Sequence, residues 1–169
     1  RDRSRTKEIK LIGAANFLML EEKIISLATE NNIDVATARH LLDRHGDRIH
    51  EVFDIIAESP ELKEQLSPGY PYLRAEVVHA ARFECALHLE DVLTRRTRLS
   101  IESWDRASDA APDAASLMAA ELGWTTEHRD LEIQMYNERV AAERKSQTYF
   151  DDETAQSSRL AAIDSRHSV

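Results

Sequence analysis

The chain has 169 residues, 42% of them hydrophobic and 31% charged, with a formal net charge of −9. That length buries an ordinary core in one domain, and the acidic balance argues against a nucleic-acid partner, which needs a basic footprint. Four Gly and four Pro leave few tight turns and argue against a mainly β fold, while the single Cys85 permits no internal disulfide and fits a reducing compartment.

In chain order, residues 1–10 carry five basic and two acidic side chains, and residues 1–15 read as a linker that ends in Leu11-Ile12-Gly13-Ala14-Ala15. The first methionine is Met19 and no signal peptide is evident, so the chain is read as a segment of a longer polypeptide. A helix is expected from near Asn16, with Phe17, Leu20, Ile24 and Leu27 (or Ala28) at helical spacing, stopped by Asn31-Asn32. Asp34 is the expected N-cap of a second helix through Ala38, Leu41 and Leu42, closed by Gly46. Asp47 is expected to cap a third, carrying Ile49, Val52, Phe53 and Ile56 and ending at Ser59-Pro60. Residues 60–72 hold three of the four prolines and read as a loop, with one short turn within Glu61–Leu66.

A long central helix is expected over about residues 73–103. Pro112 opens the next helix, which runs through Leu117, Met118 and Leu122 to Gly123. Thr125 starts the last one, with Leu131, Met135 and Val140 as its apolar stripe. Residues 151–169 read as a polar, frayed tail with at best a short helix around Leu160–Ile163. The expected fold is all-α: five or six helices in an orthogonal, bundle-like cap over residues 16–150, with the long helix at its centre. No run reaches the roughly 20 apolar residues that span a bilayer.

On a continuous central helix, Glu84, His88, Asp91 and Arg95 share one face. One reading makes them two acid-before-base pairs at i, i+4 spacing; the other makes the stripe a surface that meets a second domain. Arg95-Arg96-Thr97-Arg98 can bind phosphate or an acidic partner, or form a solvated face. Glu76-Val-Val-His79 has the Glu-x-x-His step of di-iron bundles, but no second such step exists, and Cys85 with His88 supplies two ligands where zinc needs more. No metal site is expected. A helix-turn-helix over residues 34–58 fails on charge, because its second helix carries Asp47, Glu51, Asp54 and Glu58 against Arg48. No Gly-x-Gly-x-x-Gly, P-loop or Gly-x-Ser-x-Gly is present, so no catalytic or cofactor-binding residue is expected.

Tyr70-Pro-Tyr72, Ala75-Glu-Val-Val78, Arg82, Glu84, Glu90-Asp-Val-Leu93 and Arg95-Arg-Thr-Arg98 together resemble the C-terminal helical domain of FAD-dependent glycerol-3-phosphate dehydrogenases. Leu41-Leu42-Asp43-Arg44-His45-Gly46 and Leu117-Met-Ala-Ala-Glu-Leu-Gly-Trp124 extend the resemblance to roughly residues 10–147. His79, Cys85 and His88-Leu89 depart from the family pattern. The resemblance implies a parent enzyme that oxidises sn-glycerol 3-phosphate to dihydroxyacetone phosphate and passes electrons through FAD to a membrane quinone. It also implies that flavin and substrate sites lie upstream, that this segment is a non-catalytic cap on the FAD-binding domain, and that the enzyme is cytoplasmic and peripheral on the inner membrane face. Glu84, Glu90, Asp91, Arg95, Arg96 and Arg98 are then the interdomain candidates, and homo-oligomerisation stays open. The alternative is a free-standing helical adaptor that binds partners through Arg95–Arg98.

Overall fold

The computed structural model describes residues 5–162, and the elements within them are helical, as expected for an all-α chain, apart from one isolated antiparallel bridge between Gln65 and Leu73. The chain forms two compact units that divide between Lys63 and Glu64.

In the first unit, the stretch expected as one helix is two: α1 (Phe17–Glu22) and α2 (Ile24–Glu30). Lys23 breaks the run by turning its N–H to the Leu20 carbonyl three residues back. Leu20, Ile24, Leu27 and Ala28 stay buried on one side of the broken pair. Asp34 caps α3 (Val35–His45) as its sequence requires, accepting from the Thr37 N–H at 2.8 Å and the Thr37 hydroxyl at 2.7 Å. Gly46 closes α3 at φ 60°, ψ −137°, a conformation closed to L side chains.

Asp47 does not cap the next helix. Gly46–Arg48 forms a 3-10 turn, and α4 (Ile49–Glu58) begins only at Ile49. Asp47 instead ties the unit together: its N–H donates to the Gly13 carbonyl at 2.8 Å, and its carboxylate accepts from Asn16 at 3.3 Å. The two glycine backbones lie so close that a Cβ on Gly46 would overlap the Gly13 carbonyl and sit 2.8 Å from its Cα.

The second unit opens with a small hairpin, in which Leu66 N–H reaches the Tyr72 carbonyl at 2.8 Å and Arg74 N–H the Glu64 carbonyl at 2.9 Å. Tyr72 then donates to the Glu102 carboxylate at 2.8 Å. α5 (Arg74–Phe83) runs parallel to α7 (Ala111–Leu122): Arg74 pairs with Asp113 at 2.8 Å and Arg82 with Glu121 at 2.7 Å, each 39 residues on. Ala75, Ala81, Ala111, Ala114 and Ala115 are buried along these helices, and their small side chains permit the close approach. Pro112 stands in the first turn of α7 and Gly123 closes it left-handed, both as expected. Thr125 caps α8 (Thr126–Ser146) through the His128 N–H.

The long helix expected over residues 73–103 is absent. α5 stops at Phe83, residues 91–96 form a π-helix, and α6 (Leu99–Glu102) follows a further break. Cys85 and Arg98 make the breaks by adopting φ 55° and 61°, the region usually left to glycine. The tail also differs. Asp151 accepts from Thr154 N–H at 2.7 Å and caps α9 (Asp152–Leu160), which packs along α8. The helix thus ends at Leu160, where the short helix expected from the sequence was to begin, and Ile163 lies outside the described residues.

Candidate functional site

The sequence candidates meet in the second unit, around the break between α5 and the π-helix. α5 ends when Glu84 N–H and Ala86 N–H both turn back to the Ala80 carbonyl, at 3.1 Å each, with Cys85 left-handed between them. The chain re-enters helix at once because Asp91 accepts the N–H groups of Leu87 at 3.2 Å and His88 at 3.1 Å. A carboxylate that reaches back to free N–H groups before a helix is half of a capping box, so His88-Leu89-Glu90-Asp91 carried a legible start signal inside the supposed long helix.

A second cap comes from α8. Glu132, only 2% exposed, accepts from Leu89 N–H at 2.9 Å with one oxygen and meets His88 Nδ1 at 2.8 Å with the other. The expected Glu84–His88 pair therefore does not form. His128, tilted at 50° against Trp124 with ring centroids 4.9 Å apart, lies 3.9 Å from the same Glu132 carboxylate.

Glu90, 7% exposed, sits between two guanidiniums: Arg95 at 2.6 Å and Arg139 of α8. Arg95 also takes Asp91 at 2.8 Å, so that expected i, i+4 pair is real, and Arg139 continues to Glu143 at 3.4 Å. The result is an alternating chain Asp91–Arg95–Glu90–Arg139–Glu143 that binds the π-helix to α8. Arg96 bridges the break itself, donating to the Glu84 carbonyl at 2.8 Å and pairing with its carboxylate at 3.3 Å. Of the sequence candidates, Arg98 alone projects an exposed guanidinium with no partner among the described residues. The basic cluster is thus not a free patch, and the adaptor alternative is not favoured.

Beside this network lies a cavity of about 230 Å³ lined by Thr94, Ser100, Arg106, Tyr136, Arg139 and Glu143, among others. Its hydroxyls are engaged: Ser100 donates to Thr94 at 3.0 Å, and Tyr136 donates to the Arg106 carbonyl at 2.6 Å. Burial pushes the Tyr136 phenol well above its ordinary range, so it stays a neutral donor. These contacts position the Ser100 and Tyr136 hydroxyls.

A family model described as the C-terminal domain of alpha-glycerophosphate oxidase matches residues 4–129. The chain belongs to this family. The glycerol-3-phosphate dehydrogenase of Mycobacterium leprae is 38% identical to this C-terminal domain over 166 residues, 98% of the chain and 28% of the relative. The glycerol-3-phosphate dehydrogenase 2 of Mycobacterium bovis is 37% identical over the same share of each. The domain thus spans little more than a quarter of these relatives' length. No solved structure matches it significantly. Among the described residues, no helix is long and apolar enough to cross a membrane.

Glu132 and Arg139, the two partners that sequence reasoning missed, lie beyond the residues that the family model matches. For Glu132 the signal was helical spacing. Glu132, Met135, Tyr136 and Val140 form the buried face of α8, whereas Leu131, expected in the stripe, is exposed. An acidic residue on an apolar face needs a partner, and the break at Leu89 supplies it.

Proposed function

We propose that this chain is the accessory C-terminal domain of a flavin-dependent glycerol-3-phosphate dehydrogenase. The whole enzyme oxidises sn-glycerol 3-phosphate to dihydroxyacetone phosphate, passes the electrons through FAD to a quinone, and works in the cytoplasm, peripherally on the inner membrane face. The observation that carries this reading is the family match over residues 4–129, joined to alignment of nearly the whole chain with a dehydrogenase more than three times its length.

The residues present do not fit a flavin. A dinucleotide pyrophosphate sits on a glycine-rich turn between a strand and a helix N-terminus. Here Gly46 and Gly123 follow helices, and Gly13 and Gly69 lie in turns with no strand before them among the described residues. FAD and substrate therefore belong to the portion of the polypeptide ahead of this domain, and this chain contributes no catalytic group. Its role is to pack on that portion. Arg98 makes the direct polar contact, held in place by the break that Glu84, Glu90, Asp91, Arg95 and Arg96 organise.

The test is a titration of the purified chain against the separately produced flavin portion. Arg98→Ala is expected to weaken association severalfold, while the chain alone keeps no flavin absorbance and oxidises no glycerol 3-phosphate. Unchanged affinity removes Arg98 from the contact; a flavin spectrum from the chain alone overturns the accessory role.

A further inference from the structure

Exposed apolar side chains crowd one short stretch of the first unit. Leu11, Ile12 and Leu18 are 79%, 85% and 73% exposed, and with Gly13, Phe17 and Leu42 they line an open groove of about 450 Å³. The display is held, not loose. Ala14 N–H closes a turn onto the Leu11 carbonyl at 3.1 Å, with Gly13 at φ 85° in its third position. The Asp47 N–H on the Gly13 carbonyl at 2.8 Å and the Asn16 amide on Asp47 at 3.3 Å fasten that turn to the end of α3. Leu11 and Ile12 are thereby fixed at its tip, pointing away from the core. A contiguous apolar set held out into solvent marks a contact surface.

We infer that this groove seats an apolar segment of the polypeptide portion that precedes the domain, an inference that rests on the function proposed above. The chain accounts for 28% of the M. leprae relative and matches a C-terminal domain, so most of that relative lies ahead of the aligned region. The groove begins within a dozen residues of residue 4, where the match to a C-terminal domain starts. Covalent attachment so close gives it a high effective concentration, and a small apolar contact then suffices to stay occupied. A second copy of the chain has no such advantage and needs an interface of roughly 1,000 Å² or more to be stable. The rim formed by Asp43, Arg44 and His45 is mixed in sign, which suits an apolar occupant better than a charged peptide.

The test is hydroxyl-radical footprinting of the full-length polypeptide, with Trp104, 96% exposed in the second unit, as internal reference. Modification of Leu11, Ile12 and Leu18 is expected to fall severalfold below that of the same residues in the isolated chain. Leu18→Asp, an exposed change on α1, is expected to restore modification of Leu11 and Ile12 with the helical circular dichroism unchanged. Two results overturn the inference: Leu18 as reactive in the full-length protein as in the isolated chain, or protection that disappears on dilution and so belongs to a second copy. A flavin-active protein with Leu18 exposed removes the groove's occupant alone. A protein without flavin or glycerol 3-phosphate oxidation, but with Leu18 protected, removes the dehydrogenase reading and keeps the preceding portion in the groove.

Discussion

Glu132 of α8 accepts the Leu89 backbone N–H at 2.9 Å, so a side chain more than forty residues away caps the helical segment that begins at the central break. The N–H groups at a helix start lack intrahelical partners, and Leu89 is fully buried. Without Glu132 that donor would face apolar side chains.

Glu132→Ala is accordingly expected to destabilise the chain by about 1–3 kcal/mol, because a buried donor left unpaired costs its full desolvation. Glu132→Gln keeps an acceptor and recovers part of the loss. Urea midpoints of the two variants check this. Equal losses would mean that the charge beside His88, and not the cap, is what matters.

The chain Asp91–Arg95–Glu90–Arg139–Glu143 predicts coupling across the break. A double-mutant cycle on Glu90→Ala and Arg139→Ala is expected to give an interaction energy of about 0.5–3 kcal/mol. Both arginines are more than a third exposed, and solvent screening favours the lower half of that range. Arg98→Ala, which removes an exposed side chain without a partner among the described residues, should change stability by less than about 0.5 kcal/mol. A comparable loss at Arg98 would place it within the network.

The glycines separate conformational strain from overlap. Gly123, at φ 68° with nothing within 4 Å of an added Cβ, should accept alanine at about 1–2 kcal/mol, the left-handed penalty alone. Gly46→Ala adds a collision with Gly13 backbone and should cost several kcal/mol. Thermal melts of the two variants make the comparison, and equal costs would show that residues 11–14 move aside freely.

Asp34 carries the clearest pH signature. Its hydrogen bonds from the Thr37 hydroxyl, and then from the Thr37 N–H, hold its carboxyl below the ordinary value. A lowered folded-state pKa gives stability that is fully present above the unfolded value of about 4 and is lost as pH falls through the folded one. Asp34→Ala should therefore cost about 1 kcal/mol near neutrality. The gap to the parent chain should close on acidification below pH of about 4. A gap that persists in acid would assign the cost to helix propensity instead of the cap.

Local chemistry was legible in the residues. Asp34 and Thr125 open helices, Gly46 and Gly123 close them, and Pro112 marks a first turn, because each effect is decided within four residues. The same signals existed at Asp91 and Asp151 but were masked, one by a continuous helical pattern and the other by a polar tail. The family, too, could be read from the Tyr70–Arg98 pattern before any geometry was known.

Tertiary structure decided the rest. Nothing local marks Cys85 or Arg98 as left-handed, since neither is Gly or Asn; contacts from farther along the chain meet the bend at Cys85. At the Cys85 bend, Glu132 from α8 and the Glu84–Arg96 bridge supply those contacts, and no spacing rule links positions so far apart. The residue composition settled an all-α chain because helix periodicity and caps are properties of neighbours. How tightly the broken segment is tied to α8, and which arginine is left exposed without a partner among the described residues, depends on side chains that meet only after the chain has folded.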